Sequence, residues 1–307
     1  MKAIVTGAVN ATEEELCALR SMGLEISLHP DERQAVEHPG QYEAVLCNGL
    51  FLYNDISRFT GLRYIQLTSA GYDRVPMEYA RDHHVTVRNA AGCYSVPMAE
   101  WTVMRILELY KHANQLYENQ AARLWRKDRF WQELAGKTAC MIGYGAYATE
   151  TAKRLKAFDV RILAVCRRKK ESIWVDAFYF PDRLEACLAQ SDIVILATAL
   201  TDETWHLMNK TRLSAMKPGA ILINAARGGL VEEGELLAEL DSGQIAGAAL
   251  DVFETEPLVE SSRVWDSNRV LISPHNSFVS DMVHQRLFEI IRRNLLQYIK
   301  NREEVTV

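Results

Sequence analysis

Three short stretches in the second half of this sequence carry residues whose types suit a single reaction. The first is "INAARGGLVEEGELL", residues 223–237, where an apolar run ends in Asn224-Ala225-Ala226 and is followed by Arg227. The second is "ALDVFETEPL", residues 249–258, with Asp251, Glu254 and Glu256. The third is "ISPHNS", residues 272–277, with His275. Each follows a strand-like apolar run. In an open parallel sheet, ligands bind outside the carboxyl ends of the strands, so loops after successive strands deliver their residues to one crevice. A guanidinium there can clamp the carboxylate and carbonyl oxygen of a 2-oxo acid. A histidine can give a proton to that oxygen as a hydride reaches carbon, and can take it back in reverse. A neighbouring carboxylate stabilises the charged imidazole and fixes its tautomer.

The hydride source is suggested by "TACMIGYGAYATETAKRLKAFDVRILAVCRR", residues 138–168. An apolar strand runs into Gly143-Tyr144-Gly145-Ala146-Tyr147-Ala148, and a helical pattern leaves it. This is the G-x-G-x-x-G dinucleotide fingerprint with Ala148 in its third place, which the fingerprint tolerates. Gly143 serves the tight turn, and Gly145 lets backbone approach a pyrophosphate. Ala148 permits close helix–strand packing, and the helix N-terminus offers free N–H groups to the phosphates. An NAD-specific site would place a carboxylate at the end of the next strand, to hold the ribose 2′-hydroxyl. That strand ends Val165-Cys166-Arg167-Arg168, the start of a short basic run through Lys169 and Lys170. Arg167 and Arg168 would attract a 2′-phosphate, so the reading favours NADP over NAD.

The elements that must position these groups are legible as alternation. Candidate strands Lys2–Thr6, Glu25–Leu28, Ala44–Cys47, Tyr64–Leu67 and Val85–Arg88 form a first series. Thr138–Ile142, Arg161–Val165, Ile193–Ala197, Ala220–Asn224, Ala246–Leu250 and Val270–Ser273 form a second. Helical patterns separate them, one opened by the capping box Thr12-Glu13-Glu14-Glu15. Strands alternating with helices imply parallel sheets covered on both faces. Two longer helical patterns, Val96–Lys111 and Met282–Lys300, flank the second series. In the last of them Val283, Leu287, Ile290, Ile291 and Leu295 recur at helical spacing.

Composition sets outer bounds. A chain of 307 residues suits two domains. The net charge of −5, with no polybasic arm, argues against nucleic acid. No apolar stretch approaches the roughly 18 residues of a membrane span, and the N-terminus reads as a strand and not as a signal peptide. Six scattered cysteines without a CxxC pair suggest reduced thiols in a cytoplasmic protein. No Cys/His cluster has zinc-ligand spacing, so no metal is expected.

From about residue 64 to 298 the sequence resembles the D-isomer-specific 2-hydroxyacid dehydrogenase family. The stretches that carry the resemblance are "LTSAGYDRVP", "GYGAYATETAKRLKAF", "TDETWHLMNKTRLSAMKPGAILINAARGGLVEEGELLAEL", "AGAALDVFETEPL" and "SPHNS". The resemblance implies an α/β fold of two doubly wound parallel-sheet domains, with a Rossmann-type cofactor domain (97–282) inserted in a flavodoxin-like substrate domain (1–96 plus 283–307). It places the active site in the cleft between them. It assigns Arg227 to the substrate, His275 to acid/base work and Glu256, not Glu254, to the histidine. It brings the backbone of Ala70-Gly71, with Asn48, to the substrate, and Asp251 to the nicotinamide end. Gly143, Gly145, Ala146, Tyr147, Thr198, Ala199, Thr204, Ala225 and Ala226 complete the cofactor site. It also implies a homodimer built on 96–111 and the stretch "WRKDRFW" from Trp125 to Trp131. Interdomain packing is the other role open to those tryptophans.

The sequence departs from the family pattern at several places. Thr198-Ala199-Leu200-Thr201 replaces L-P-L-T, and Trp101 stands where histidine is frequent. Asn48 stands where phosphoglycerate-using relatives carry arginine, and no regulatory domain is expected after the last helix. Glu256 occupies the position of a glutamine in formate dehydrogenases. The resulting expectation is an NADPH-using reductase of small 2-oxo acids, such as glyoxylate, hydroxypyruvate or a branched or aromatic oxo acid. Two alternatives use the same fold: a dinucleotide-sensing protein similar to the C-terminal binding corepressors, and a phosphite-type dehydrogenase.

Overall fold

A computed structural model describes residues 1–168 and 170–305, so Lys169 of the basic run and the last two residues of the expected C-terminal return lie outside the described residues. The chain divides into two units: Met1–Tyr94 with the segment from Ser280 onward, and Ser95–Val279. The divisions fall two to three residues before those expected, the first of them at the start of the long helix that opens the second unit at Ser95.

The first unit contains strands β1 (Lys2–Thr6), β2 (Glu25–His29), β3 (Ala44–Cys47), β4 (Tyr64–Leu67) and β5 (Thr86–Arg88). They form a wholly parallel sheet in the order β2-β1-β3-β4-β5, the flavodoxin-like order. The central strands β3 and β4 are buried at every position, as a sheet covered on both faces requires. Helices α1 (Glu13–Ser21) and α2 (Met77–Asp82) connect strands of this unit. Thr12 Oγ1 accepts the Glu15 N–H at 3.2 Å and Glu15 Oε2 accepts the Thr12 N–H at 2.8 Å, so the capping box closes.

The second unit opens with α3 (Ser95–Tyr110) and α4 (Ala113–Ala121). Its strands are β6 (Thr138–Ile142), β7 (Arg161–Val165), β8 (Ala177–Tyr179), β9 (Ile193–Leu196), β10 (Ala220–Asn224), β11 (Ile245–Leu250) and β12 (Val270–Ile272). Between them lie α5 (Ala146–Lys156), α6 (Leu184–Leu188), α7 (Lys210–Ser214) and α8 (Glu233–Ser242). The sheet is parallel throughout, in the order β12-β11-β10-β9-β6-β7-β8. Counted from β6, this is the doubly wound dinucleotide order, extended by one strand beside the sixth. The order reverses between β6 and β9, which pair directly, so the ligand crevice of such a sheet lies at their carboxyl ends.

Observed strands begin and end within a residue of those expected, but β8 had no sequence signal. It is a three-residue edge strand, half-buried at each position, too short for any periodicity to register. Helix α4 was also unforeseen, since its sequence ANQLYENQA is mostly polar and buries only Asn119. The last helix, α9 (Val283–Val305), puts Leu287, Ile290, Ile291 and Leu295 into a core with Val5, Leu46 and Tyr64. That apolar stripe returns the end of the chain to the first unit. Among the described residues no helix is long and apolar enough to cross a membrane.

Candidate active site

The glycine turn after β6 is shaped by contact with the neighbouring strand end. Gly143 has φ +93°, and a Cβ there would lie 2.4 Å from the carbonyl oxygen of Ala197 at the end of β9. Only glycine fits both demands. At Gly145 a Cβ would meet nothing within 4 Å, so the space above that backbone is open. Gly145 is the N-cap of α5 and no side chain caps the helix, which leaves its first N–H groups and positive dipole end for an anion. Ala146 follows in the first turn. Ala148 is fully buried against β6 and α3, which accounts for a small residue in the third place of the fingerprint. The Tyr147 side chain turns away, its hydroxyl 2.6 Å from Thr102 Oγ1 on α3, and burial pushes that phenol up to about 12. Only the Tyr147 backbone therefore faces the turn.

Past β7, Arg167 and Arg168 are exposed. Arg167 Nη1 lies 3.5 Å from Glu203 Oε2, with both side chains about four-fifths exposed (79% and 78%). Pairs of that kind are worth about 0–1 kcal/mol, so Glu203 does not commit Arg167. Lys170, which sequence reasoning did not assign, donates to the Tyr144 carbonyl and lies 6.0 Å over the Tyr144 ring. The Tyr144 hydroxyl is 2.7 Å from Ser172 Oγ. Among the described residues three cations thus follow β7, and the fingerprint's tyrosine is tied to the same loop. The glycine cradle and the uncapped helix fit the pyrophosphate of a nicotinamide dinucleotide.

After β9, Thr198 is half-buried and Ala199 exposed. Thr204 Oγ1 accepts the Thr201 N–H at 2.7 Å and donates to the Ala199 carbonyl at 2.8 Å, so it closes this loop on itself. After β10, Ala225 is buried and Ala226 half-buried; Asn224 Oδ1 accepts the Ala226 N–H at 3.1 Å. Asn224 Nδ2 donates to the Arg227 carbonyl at 2.9 Å, and Arg227 Nη1 donates to the Ala226 carbonyl at 2.8 Å. Arg227 is half-buried and extended, the N-cap of a short turn made by Gly228–Leu230.

The loops after β11 and β12 bring His275 and Glu256 together. His275 Nδ1 is 2.8 Å from Glu256 Oε2, and both side chains remain more than a third exposed. Glu256 Oε1 accepts the Phe253 N–H at 3.1 Å, which holds the carboxylate in place. With Nδ1–H donated to Glu256, Nε2 is the ring atom left for a substrate. His275 has φ 51°, an uncommon conformation for a residue other than glycine. Asp251 imposes it. Asp251 is fully buried, and its carboxylate accepts Ser273 Oγ–H at 2.5 Å and the N–H groups of Asn276 at 2.8 Å and Ser277 at 2.9 Å. Its carbonyl takes the His275 N–H at 2.8 Å. Sequence reasoning gave Asp251 to the cofactor; its oxygens are engaged by the loop that carries the histidine. Trp101, at the position of the family's frequent histidine, donates Nε1–H to Ser273 Oγ at 3.1 Å and extends this network into α3.

The remaining expected residues belong to the first unit. The Asn48 and Gly49 N–H groups donate to Glu32 at 2.7 and 2.6 Å, and Thr6 Oγ1 donates to the same carboxylate at 2.6 Å. Glu32 carried no sequence signal; it organises the turn after β3. Asn48 Oδ1 is buried without a hydrogen-bond partner. Ala70 is exposed, its carbonyl accepting Asn89 Nδ2–H at 2.5 Å, and Ser69 Oγ donates to the Gly71 carbonyl at 3.0 Å. The described residues contain no cluster of metal ligands.

Comparison with known proteins agrees with this architecture. Residues 103–277 match the family described as "D-isomer specific 2-hydroxyacid dehydrogenase, NAD binding domain". A glyoxylate reductase of Thermofilum pendens is 36% identical over 248 residues, which cover 78% of this chain and 72% of that protein. A crystal structure of a glyoxylate reductase from Paecilomyes thermophila superposes with TM-score 0.85 at 25% identity, covering 97% of this chain and 95% of that one. A D-isomer specific 2-hydroxyacid dehydrogenase from Xanthobacter autotrophicus, crystallised with NADPH and MES, gives TM-score 0.79 at 28% identity, covering 96% and 95%. The chain belongs to the D-isomer specific 2-hydroxyacid dehydrogenase family. It is an NAD(P)-dependent oxidoreductase that interconverts 2-hydroxy acids and 2-oxo acids.

Proposed function

We propose that the chain reduces small, unphosphorylated 2-oxo acids of the glyoxylate or hydroxypyruvate kind, with NADPH preferred over NADH. The observation that carries the reading is the His275–Glu256 pair at 2.8 Å, held on the loops after β11 and β12, with Arg227 on the loop after β10 of the same sheet. Bound NADPH supplies the hydride. Arg227 holds the substrate carboxylate and polarises its carbonyl oxygen. His275, as imidazolium, gives the Nε2 proton to that oxygen, and Glu256 stabilises the charged ring through Nδ1. Asn48 and the Ala70-Gly71 backbone receive the rest of the substrate. Gly143, Gly145, Ala146, Thr198, Ala199, Ala225 and Ala226 line the cofactor, and Thr204 shapes its loop.

Initial rates of NADPH and NADH oxidation with glyoxylate, hydroxypyruvate, pyruvate and phenylpyruvate test the reading. Turnover with glyoxylate or hydroxypyruvate supports it. Tight dinucleotide binding without turnover of any oxo acid replaces it with the sensor alternative. The preference for NADPH rests on Arg167, Arg168 and Lys170. Removing two guanidiniums that face a 2′-phosphate costs about 1.5–3 kcal/mol for each charged hydrogen bond lost. The Arg167→Ser/Arg168→Ser double variant should therefore raise KM for NADPH at least tenfold and leave KM for NADH within about twofold. An equal change in both KM values assigns the arginines to the surface.

The protein is a homodimer in a reducing cytoplasm. Six free cysteines, four of them buried, support the compartment. Trp125 (99% exposed), Phe130 and Leu124 support the interface. Leu124 and Trp125, with Leu116 and Trp131, border a cavity of about 870 Å³ between α4 and residues 122–131, an apolar surface unusual for a chain that stays alone in water. Light scattering should give twice the 34.9 kDa chain mass, and the Trp125→Glu/Phe130→Glu variant should give a monomer. A wild-type monomer excludes the dimer.

A further inference from the structure

Glu254 is the acidic residue of the Asp251–Glu256 segment that the proposed chemistry leaves unused. Its carboxylate points away from His275. Glu254 Oε1 accepts the Glu233 N–H at 3.1 Å, and the Glu254 N–H donates to Glu233 Oε1 at 2.6 Å, a reciprocal pair between the loop after β11 and the start of α8. Burial pushes the Glu233 carboxyl above its ordinary value, against the hydrogen bond from the Glu254 N–H, which lowers it. The buried Nε2 of His206 lies 3.2 Å from Glu254 Oε1, in ion-pair range though outside hydrogen-bond alignment.

The segments that carry Glu254 and His206 flank the turn that follows Arg227. The His206 N–H donates to the Gly229 carbonyl at 2.8 Å, and the Met208 N–H to the Leu230 carbonyl at 2.9 Å. A Cβ on Gly228 would lie 1.9 Å from the Phe253 carbonyl, and one on Gly229 would lie 2.5 Å from the Trp205 ring. The Trp205 ring stacks on His206 with centroids 4.7 Å apart. The glycine turn is thus pressed between the backbone before Glu254 and the Trp205-His206 pair, and the 3.2 Å contact of His206 Nε2 with Glu254 Oε1 joins those two walls. Its other end is fixed by Asn224, which holds the Arg227 carbonyl.

We infer that Glu254, with His206 and Glu233, is a latch that positions Arg227 by clamping the Gly228-Gly229 turn between the loops after β9 and β11. The inference rests on the reading of Arg227 as the substrate clamp. An arginine that orients a substrate works only if its main chain is held, because a displacement of about 1 Å costs on the order of a hundredfold in rate. Glu254 touches neither substrate nor cofactor and acts through Arg227. Its loss should fall on substrate orientation and not on dinucleotide binding.

The test is a double-mutant cycle on glyoxylate reduction, read as kcat and KM, with NADPH affinity and Tm measured on every variant. Glu254→Gln and His206→Gln should each raise KM for glyoxylate about tenfold, with NADPH affinity unchanged. In an Arg227→Ala background the same substitutions should change the residual kcat/KM by less than about twofold, because the residue they position is gone. Equal factors in both backgrounds, or no effect in the native background, overturn the latch. If Glu254→Gln fails to fold, His206→Gln removes the same contact from the opposite wall and decides the question. Undiminished turnover in Arg227→Ala alone overturns the clamp reading itself, a result distinct from additivity.

Discussion

Replacement of His275 by alanine is expected to lower kcat for oxo acid reduction by about a thousandfold, within the 10²–10⁴ range typical of a positioned general acid, while NADPH affinity stays unchanged. The physical basis is a division of labour on two loops. Glu256 meets Nδ1 at 2.8 Å and uses its second oxygen on the Phe253 N–H, so the pair is rigid and the ring cannot turn Nδ1 toward a substrate. The alanine variant removes the donor without disturbing Asp251, which grips the loop through Ser273 and the N–H groups of Asn276 and Ser277. A titration of intrinsic tryptophan fluorescence with NADPH, beside single-turnover rates, separates the two effects. A variant that keeps a tenth or more of wild-type kcat would assign the proton to another group.

Gly143→Ala should cripple both folding and dinucleotide binding, whereas Gly145→Ala should affect binding alone. A side chain at Gly143 must adopt φ +93° and also place its Cβ 2.4 Å from a strand-end carbonyl. A left-handed residue costs about 1–2 kcal/mol before any clash is counted. The backbone of β9 must then shift, and that strand is buried at every position. A Tm loss of roughly 5–10 °C, with NADPH affinity reduced more than about a hundredfold, is the expected result, given that 1 kcal/mol moves Tm by about 2–4 °C in a domain of this size. Gly145 has open space above it, so its alanine variant should melt like the wild type and lose affinity only because a methyl occupies the approach path of the pyrophosphate. Thermal melts and equilibrium titrations of the two variants decide it; a Gly143→Ala protein that binds NADPH normally would remove the turn from the cofactor site.

The sequence made the strand ends legible because buried parallel strands are runs of apolar residues that stop where chemistry starts. Ala220–Asn224 stops before Arg227, and Ala246–Leu250 stops before Asp251. Gly143 was readable because backbone geometry leaves it no substitute, and Gly145 because a pyrophosphate must approach its backbone. What the sequence could not express was the partnering of polar groups across loops. Asp251 and Glu254 look alike in "LDVFETEPL", yet one is sealed beneath His275 and the other faces His206. Glu32 sits in an irregular segment after β2 and reveals its role only where three donors converge on it. The edge strand β8 went unseen because three half-buried residues carry no period.

The residues proposed for the cofactor turn and the proton transfer, Gly143, Arg227, Glu256 and His275, and Trp101 and Asp251, which brace the histidine's loop, all lie within the unbroken span Ser95–Val279. The unit that carries Asn48, Ala70 and Gly71 is made from the two ends of the chain. In terms of genetic recombination, the middle of the gene is a self-contained reaction cassette with one junction before Ser95 and another after Val279. Exchange of the flanking segments between relatives can therefore alter which side chain is accepted without dividing the set of residues that moves the proton.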